Sequence, residues 1–201
     1  MKIAAIILAA GEASRMGKAK QLLNYDGESF LHRSIRLASQ LTDQCIVVLG
    51  AHAELIKPTI LQKDVRIAMN PNWASGMGSS IRAGMQHIDP DTDWALLLLV
   101  DQPHISIHHL QQLIQPQNTY PINATAYGQK IGVPAAFHRK LFEELRMLSG
   151  QEGARKLIRS QPERVFHIPF EAAAQDIDTP EDYAALTAKL RNPDSQKAEP
   201  E

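Results

Sequence analysis

At 201 residues, 44% of them apolar, the chain has the size of one ordinary domain and enough greasy material for one continuous core. A formal net charge of −1 gives no overall field to draw it to nucleic acid or an anionic membrane, so any basic patch must be local. No apolar run approaches bilayer-spanning length and the apolar start lacks a signal peptide's cleavage region, which predicts a cytoplasmic protein. The single cysteine, Cys45, excludes an internal disulfide and a sulfur metal site.

The chain opens on the apolar run Ile3 to Ala9, which reads as a buried strand feeding a turn. Residues 8 to 20, Leu-Ala-Ala-Gly-Glu-Ala-Ser-Arg-Met-Gly-Lys-Ala-Lys, form a glycine-punctuated basic loop. Gly11 and Gly17 allow close backbone approach to a ligand, and Arg15, Lys18 and Lys20 supply cations, so the loop is suited to cradling an anion. A P-loop would need four residues between its glycines and a Ser or Thr after the lysine, whereas here five intervene and Ala19 follows Lys18. The dinucleotide fingerprint would need a third glycine and an acid closing the next strand, which instead ends in Gly50. The plain alternative is an exposed turn with solvated basic residues.

Phe30, Leu31, Ile35, Leu37, Ala38 and Leu41 come next at helical spacing, and Cys45 to Leu49 is a continuous apolar strand with the thiol in the core. The pattern then predicts a helix over 53 to 62, running past Pro58, a strand from Val65 to Met69, and a helix from Ser79 to His87. Ser79 and Ser80 stand at the start of that helix, where unbonded amides attract an anion or a ribose; an ordinary N-cap is the alternative. Trp94 to Val100, the most apolar segment, is expected to be the central strand of a mainly parallel sheet, ending at Asp101. A helix over about 106 to 115, a strand from Ala124 to Tyr127, helices within 139 to 160, a strand from Val165 to Ile168 and a helix from Pro180 complete the pattern. This alternation predicts a three-layer α/β/α, Rossmann-like domain over 1 to 191 with right-handed crossovers, its ligand site beyond the carboxyl ends of the strands. Residues 192 to 201 have almost nothing to bury and are expected to be disordered.

Asp101 closes five apolar residues, so its carboxylate should emerge beside the Gly11 to Lys20 loop. A carboxylate facing phosphate is repulsive unless a cation mediates, and Mg²⁺ is commonly held by one or two carboxylates together with phosphate oxygens. The second carboxylate is expected to be Asp178, with Asp176 two residues earlier; the alternative is that Asp178 or Thr179 only caps the helix opened by Pro180. Gln102 and Pro103 could line an acceptor, or merely form a tight turn. His104, His108 and His109 read as neutral, solvent-facing residues of a helix start rather than a metal cluster, and Trp73 and Trp94 as packing residues.

These pieces fall in a specific order: Leu8-Ala-Ala-Gly11, Arg15-Met-Gly17, Lys20, Asn70-Pro-Asn-Trp73, Gly76-Met-Gly-Ser-Ser80, Val100-Asp-Gln-Pro103, Gly132-Val-Pro134 and Asp176-Ile-Asp-Thr-Pro180. With them the chain resembles the MobA-like nucleotidyltransferases from Ile3 to about Leu190, most closely the molybdenum cofactor cytidylyltransferase (MocA-like) branch. The resemblance implies the Rossmann-like nucleotidyltransferase fold of the nucleotide-diphospho-sugar transferase type. It also implies that a nucleoside triphosphate is bound by Leu8, Ala9, Ala10, Gly11, Arg15, Gly17 and Lys20, with Asn70, Ser79 and Ser80. Arg15, Lys20 and Asp101 would be catalytic, and Asp101 and Asp178 would hold Mg²⁺. The resemblance further implies CTP, since relatives that take GTP tend to have glycine where Ala10 stands and those that take CTP or UTP tend to have alanine; a methyl there would narrow the loop where a base edge would lie.

The implied reaction is transfer of CMP to a phosphate-bearing acceptor, molybdopterin first, with release of pyrophosphate and transient contact with a molybdoenzyme as a partner. In one departure, Val133 stands where the resemblance implies a polar residue in the Gly132-Val133-Pro134 triplet; otherwise the triplet is a turn before a buried strand. A sugar or polyol phosphate acceptor and a non-catalytic nucleotide-binding module are the competing expectations.

Overall fold

The computed structural model describes residues 1–115, 120–151 and 153–191; the tail expected to be disordered lies outside them. In chain order the elements are β1 (Ile3–Ala9), the hairpin β2 (Asn24–Tyr25) and β3 (Glu28–Ser29), α1 (Phe30–Ser39), β4 (Gln44–Leu49), α2 (Ala53–Ile56), β5 (Val65–Met69) and α3 (Met77–Met85). Then come β6 (Trp94–Leu99), α4 (Ile107–Ile114), β7 (Ile122–Tyr127), β8 (Lys130–His138), α5 (Phe142–Arg146), α6 (Ala154–Ser160), β9 (Val165–Pro169) and α7 (Pro180–Arg191).

Seven strands pair in the order β5-β4-β1-β6-β8-β7-β9. All neighbours are parallel except β8, which runs antiparallel to both β6 and β7. Alternate side chains of β1 and β6 enter opposite layers, as the period of two in a strand requires. Ala4, Ile6, Leu8, Ala95 and Leu97 pack under α3, α5 and α6. Ala5, Ile7, Ala9, Leu96 and Leu98 pack under α1, α2 and α4. The expected three-layer architecture is therefore present. A third, smaller cluster docks α7 on the first loop through Met16, Leu23, Phe30, Ile177 and Leu186.

Three local expectations are corrected. The helix predicted over 53 to 62 stops at Ile56 and continues only as a 3-10 turn, Lys57–Thr59, because Pro58 has no N–H to extend the ladder. Gly132-Val133-Pro134 is not a turn before a strand but an irregularity inside β8: the pairing with β7 jumps from Ala124↔Ala135 to Thr125↔Gly132. A proline fits a strand with neighbours on both sides only at such a bulge. His109 does not face solvent. It is 1% exposed, stacks on Phe170 at 4.4 Å, and its Nε2 lies 2.8 Å from the Thr125 hydroxyl. Thr125 donates its own proton to the Pro134 carbonyl, so the imidazole must donate from Nε2, and burial then drives its pKa down to about 4.

Candidate active site

β1 and β6 are adjacent, and register pairs Leu8 with Leu99. The chain leaves both strands at the same edge, so the first loop and Asp101 meet there. A cavity of about 550 Å³ opens between them, walled by Leu8, Ala10, Gly11, Lys20, Ser80 and Asp101 among others. Open sheets place ligands at such a point, where connections diverge to either side.

The loop is held from behind by two side chains that the sequence did not single out. Gln21 is 1% exposed and donates from Nε2 to the carbonyls of Ala9 and Gly11, at 2.9 and 3.0 Å. His52 donates from Nε2 to the Glu12 carbonyl at 2.8 Å, and the Ala51 amide donates to the Ala10 carbonyl at 3.0 Å. With its carbonyls tied back, the loop can turn amides toward the cavity. Gly50 has its own reason: a Cβ there would fall 2.5 Å from Trp73 Cβ and 2.9 Å from Ala10 Cβ, so only glycine lets these two walls close up.

At the mouth four charges converge. Lys20 Nζ donates to Asp101 Oδ2 at 2.5 Å and to Asp178 Oδ1 at 3.0 Å, and Arg15 donates to Asp178 Oδ2 at 2.8 Å. Asp178 is brought in by a backbone bond from the Ile177 amide to the Asp101 carbonyl, 2.9 Å. Burial works against the Lys20 charge, but the charges and hydrogen bonds of Asp101 and Asp178 outweigh it and raise its pKa, so it is a cation at neutral pH. Burial also opposes ionisation of Asp178, yet Lys20 and then Arg15 bring its pKa below the ordinary value. Asp176 goes the other way: partial burial first, then the Asp101 charge, push it up to about 6 against a hydrogen bond from Gln102 and the Lys20 charge.

The helix-capping alternative resolves in favour of Thr179. Its Oγ1 accepts from the Asp182 amide, while the Asp182 carboxylate accepts from the amides of Thr179 and Asp178. Asp178 is left to face Lys20.

A family model, the MobA-like NTP transferase domain, matches residues 5–165. The chain belongs to this family.

Its relatives extend over nearly the whole length. It is 30% identical to nicotine blue oxidoreductase of Paenarthrobacter nicotinovorans, over 89% of this chain and 93% of that protein. It is 27% identical to molybdenum cofactor cytidylyltransferase of Escherichia coli, over 92% and 95%. A crystal structure of Rv0371c from Mycobacterium tuberculosis in complex with manganese superposes with a TM-score of 0.77 at 27% identity, covering 92% of this chain and 98% of that one.

The positions expected from the sequence to hold nucleotide divide by location. Leu8, Ala10, Gly11, Lys20 and Ser80 stand on the cavity wall. Ala9 is 1% exposed beneath it, and Gly17, in the left-handed region at φ 70°, closes the turn that presents Arg15. Asn70 and Ser79 are buried behind the wall. Asn70 donates to the hydroxyls of Ser79 and Ser80 at 2.9 and 3.0 Å and accepts from the Asn72 amide, so it positions Ser80. Gly76, not a serine, caps α3. Trp73, expected to be a packing residue, packs on Gly50 and also lines the cavity.

The donor set suits a hard divalent cation. Asp101 is 16% exposed at its side chain, and its second oxygen, Oδ1, is buried with no hydrogen-bond partner. Among the described residues no three His, Cys, Asp or Glu donors form a complete metal cage. Asp101 and Asp178 could hold such an ion only with oxygens from phosphate and water, as is usual for Mg²⁺.

Proposed function

We propose that the protein is a Mg²⁺-dependent nucleotidyltransferase that moves CMP from CTP to a phosphate-bearing acceptor, molybdopterin first, and releases pyrophosphate. The observation that carries this reading is the 2.5 Å contact of Lys20 with Asp101, which joins the anion loop to the acid ending β6 at one cavity. A module that only bound nucleotide would have little use for a largely buried carboxylate against the loop's lysine.

In the reaction an acceptor phosphate oxygen forms a bond to the α-phosphorus, the bond to the bridging oxygen of the β-phosphate breaks, and pyrophosphate leaves. An acceptor that is already ionised needs no general base, so catalysis consists of positioning and of neutralising growing charge. Lys20 and Arg15 exchange carboxylate partners for phosphate oxygens, and the Ser80 hydroxyl, fixed by Asn70, offers a polar contact on the same wall. Asp101 and Asp178 are the residues that would hold Mg²⁺, which when bound adds neutralising charge and orients the phosphates. The methyl of Ala10, 3% exposed beside Trp73, narrows the wall and supports a pyrimidine over a purine.

The second reading keeps the chemistry and changes the acceptor to a sugar or polyol phosphate; the apolar Val133, 6% exposed, supports looking beyond molybdopterin. The test incubates the purified protein with Mg²⁺, molybdopterin cofactor or a sugar phosphate, and each of four triphosphates, and follows pyrophosphate. Release with CTP alone is expected. Equal release from all four removes the cytidylyl assignment, and no release with any acceptor removes the transfer.

A further inference from the structure

The cavity that holds Lys20 and Asp101 does not end at them. Met77, Leu99 and Gln151 line it and also a second cavity of about 610 Å³, which continues under α6 to Val133, Arg155 and Arg159. Arg155 and Arg159 in turn line a third space of about 460 Å³ with Lys130 and His167. The three form one trench along the α3–α6 side of the sheet. Leu99, the last residue of β6, stands on its floor, two residues before Asp101.

The character of the trench changes along its length. Near the first cavity its wall is apolar but for Gln151: Met77, Leu99 and Val133. Beyond them it is basic. Arg155 and Arg159 are four apart on α6 and share one face, with Lys156 beside them. Among the described residues no carboxylate lines either of the outer cavities and no acid pairs with Arg155, Arg159 or Lys130, whereas Arg15 and Lys20 are both matched by acids. Arg155 is also steadied. Its guanidinium makes a long 3.4 Å hydrogen bond to the hydroxyl of buried Tyr127, directly over Gly132, where a Cβ would come 3.0 Å from that hydroxyl. A planar fork fixed in this way suits a carboxylate or phosphate.

We propose that the acceptor is an elongated molecule with two anionic ends: the phosphate that attacks near Lys20, and a second carboxylate or phosphate bound by Arg155 and Arg159, joined by an apolar body lying along Leu99 and Val133. The inference rests on the transfer reading for the identity of the reacting end and on the outer trench alone for the second; molybdopterin has one phosphate and no carboxylate, so the trench points to an acceptor other than the one placed first above. Val133 and Gly132 then have roles in acceptor selection. Val133 lines the middle of the trench, and Gly132 makes room for the Tyr127–Arg155 pair.

The test uses two probes that share a phosphate and a flat apolar body and differ only at the far end: phenyl phosphate and 4-carboxyphenyl phosphate. Each is titrated calorimetrically into the full chain with Mg²⁺ and a saturating CTP analogue whose α,β-bridge is methylene, so that the nucleotide cavity is filled. The wild type should prefer the two-ended probe by about tenfold or more. In the double variant Arg155→Ala/Arg159→Ala the preference should fall to about one, with Arg155→Lys/Arg159→Lys recovering part of it, and raised salt should weaken it. Binding of the CTP analogue should be the same in all three proteins. Equal affinity of the two probes in the wild type, or a preference that survives the double alanine variant, overturns the proposal. Failure of the CTP analogue to bind the wild type overturns the transfer reading instead, and the probe comparison without nucleotide then still decides the anion site.

Discussion

Asp101 and Gln102 are neighbours on one turn, yet they serve opposite kinds of polar cluster. Asp101 faces a charged set, Lys20, Asp178 and Arg15, at the rim of a cavity. Gln102, 6% exposed, turns into a neutral one: its Nε2 donates to the Val133 and Ala173 carbonyls at 3.3 Å each, next to the Thr125–His109 pair that holds the Pro134 carbonyl. Burial makes unpaired charge costly, so the inner cluster is built of neutral dipoles that bind the irregular backbone of β8, with Gln102 also hydrogen-bonded to Asp176 and with Gln102 Oε1 and His109 Nδ1 left buried. The outer cluster is built of charges that can exchange partners. The dipoles tie the turn after β6 to β8, and the ion pairs sit at the cavity rim, where the proposed function would have them exchange partners for phosphate.

The contrast can be broken from either side. The largest effect is expected for Lys20→Ala: pyrophosphate release should fall on the order of 10² to 10³, roughly 3 to 4 kcal/mol of barrier, with the near-ultraviolet circular dichroism unchanged. Near-normal release would remove Lys20 from the chemistry.

His109 tests the inner cluster through pH. Its ordinary pKa of 6.5 is carried down to about 4 by burial first and the neighbouring His108 second. Between those values the unfolded chain binds the proton and the folded one does not, so stability is full above pH 6.5 and is lost as pH falls toward 4. The loss is at most about 3 kcal/mol at roughly 1.4 kcal/mol per pKa unit. Urea midpoints of the wild type and His109→Leu across this range should diverge by such a slope; parallel profiles would contradict the buried neutral imidazole.

A smaller effect, about 1 to 3 kcal/mol, is expected for Thr125→Val, which leaves both the Pro134 carbonyl and the His109 Nε2–H without a partner. Denaturant unfolding reads it, and turnover per folded molecule should hardly change. The smallest belongs to Arg15→Gln. Its side chain is 70% exposed, so its ion pair with Asp178 is screened by water and salt. A rise of about threefold to tenfold in the KM for CTP, shrinking as salt is added, is the expected signature.

The outer cluster was the more legible of the two in the sequence. Uninterrupted apolar runs mark the ends of β1 and β6, and the residues just beyond such a run must lie at the sheet edge, so the loop and Asp101 could be brought together without coordinates. For Asp178 the sequence leaves metal ligand and helix cap open, and the capping of α7 by Thr179 and Asp182 frees it from the second role. The inner cluster gave no such signal. β8 is interrupted by Gly132 and Pro134, which suppress a strand pattern, and the bulge that accommodates them depends on pairing with β7. His109 looks like one of three histidines at a helix start. Only Phe170, at the far end of β9, and Thr125 across the layer make it a core residue. Gln21 and His52 are single polar residues whose acceptors are backbone carbonyls of the loop, and no spacing rule announces such contacts.

The central claim is that Lys20 and Asp101 act as one unit on a single triphosphate. A double-mutant cycle tests it most directly: pyrophosphate release is measured for Lys20→Ala, Asp101→Ala and the double variant under one set of conditions. The account predicts strong non-additivity, the double variant being about as slow as the slower single variant. Losses that multiply would show two groups working independently and would contradict it.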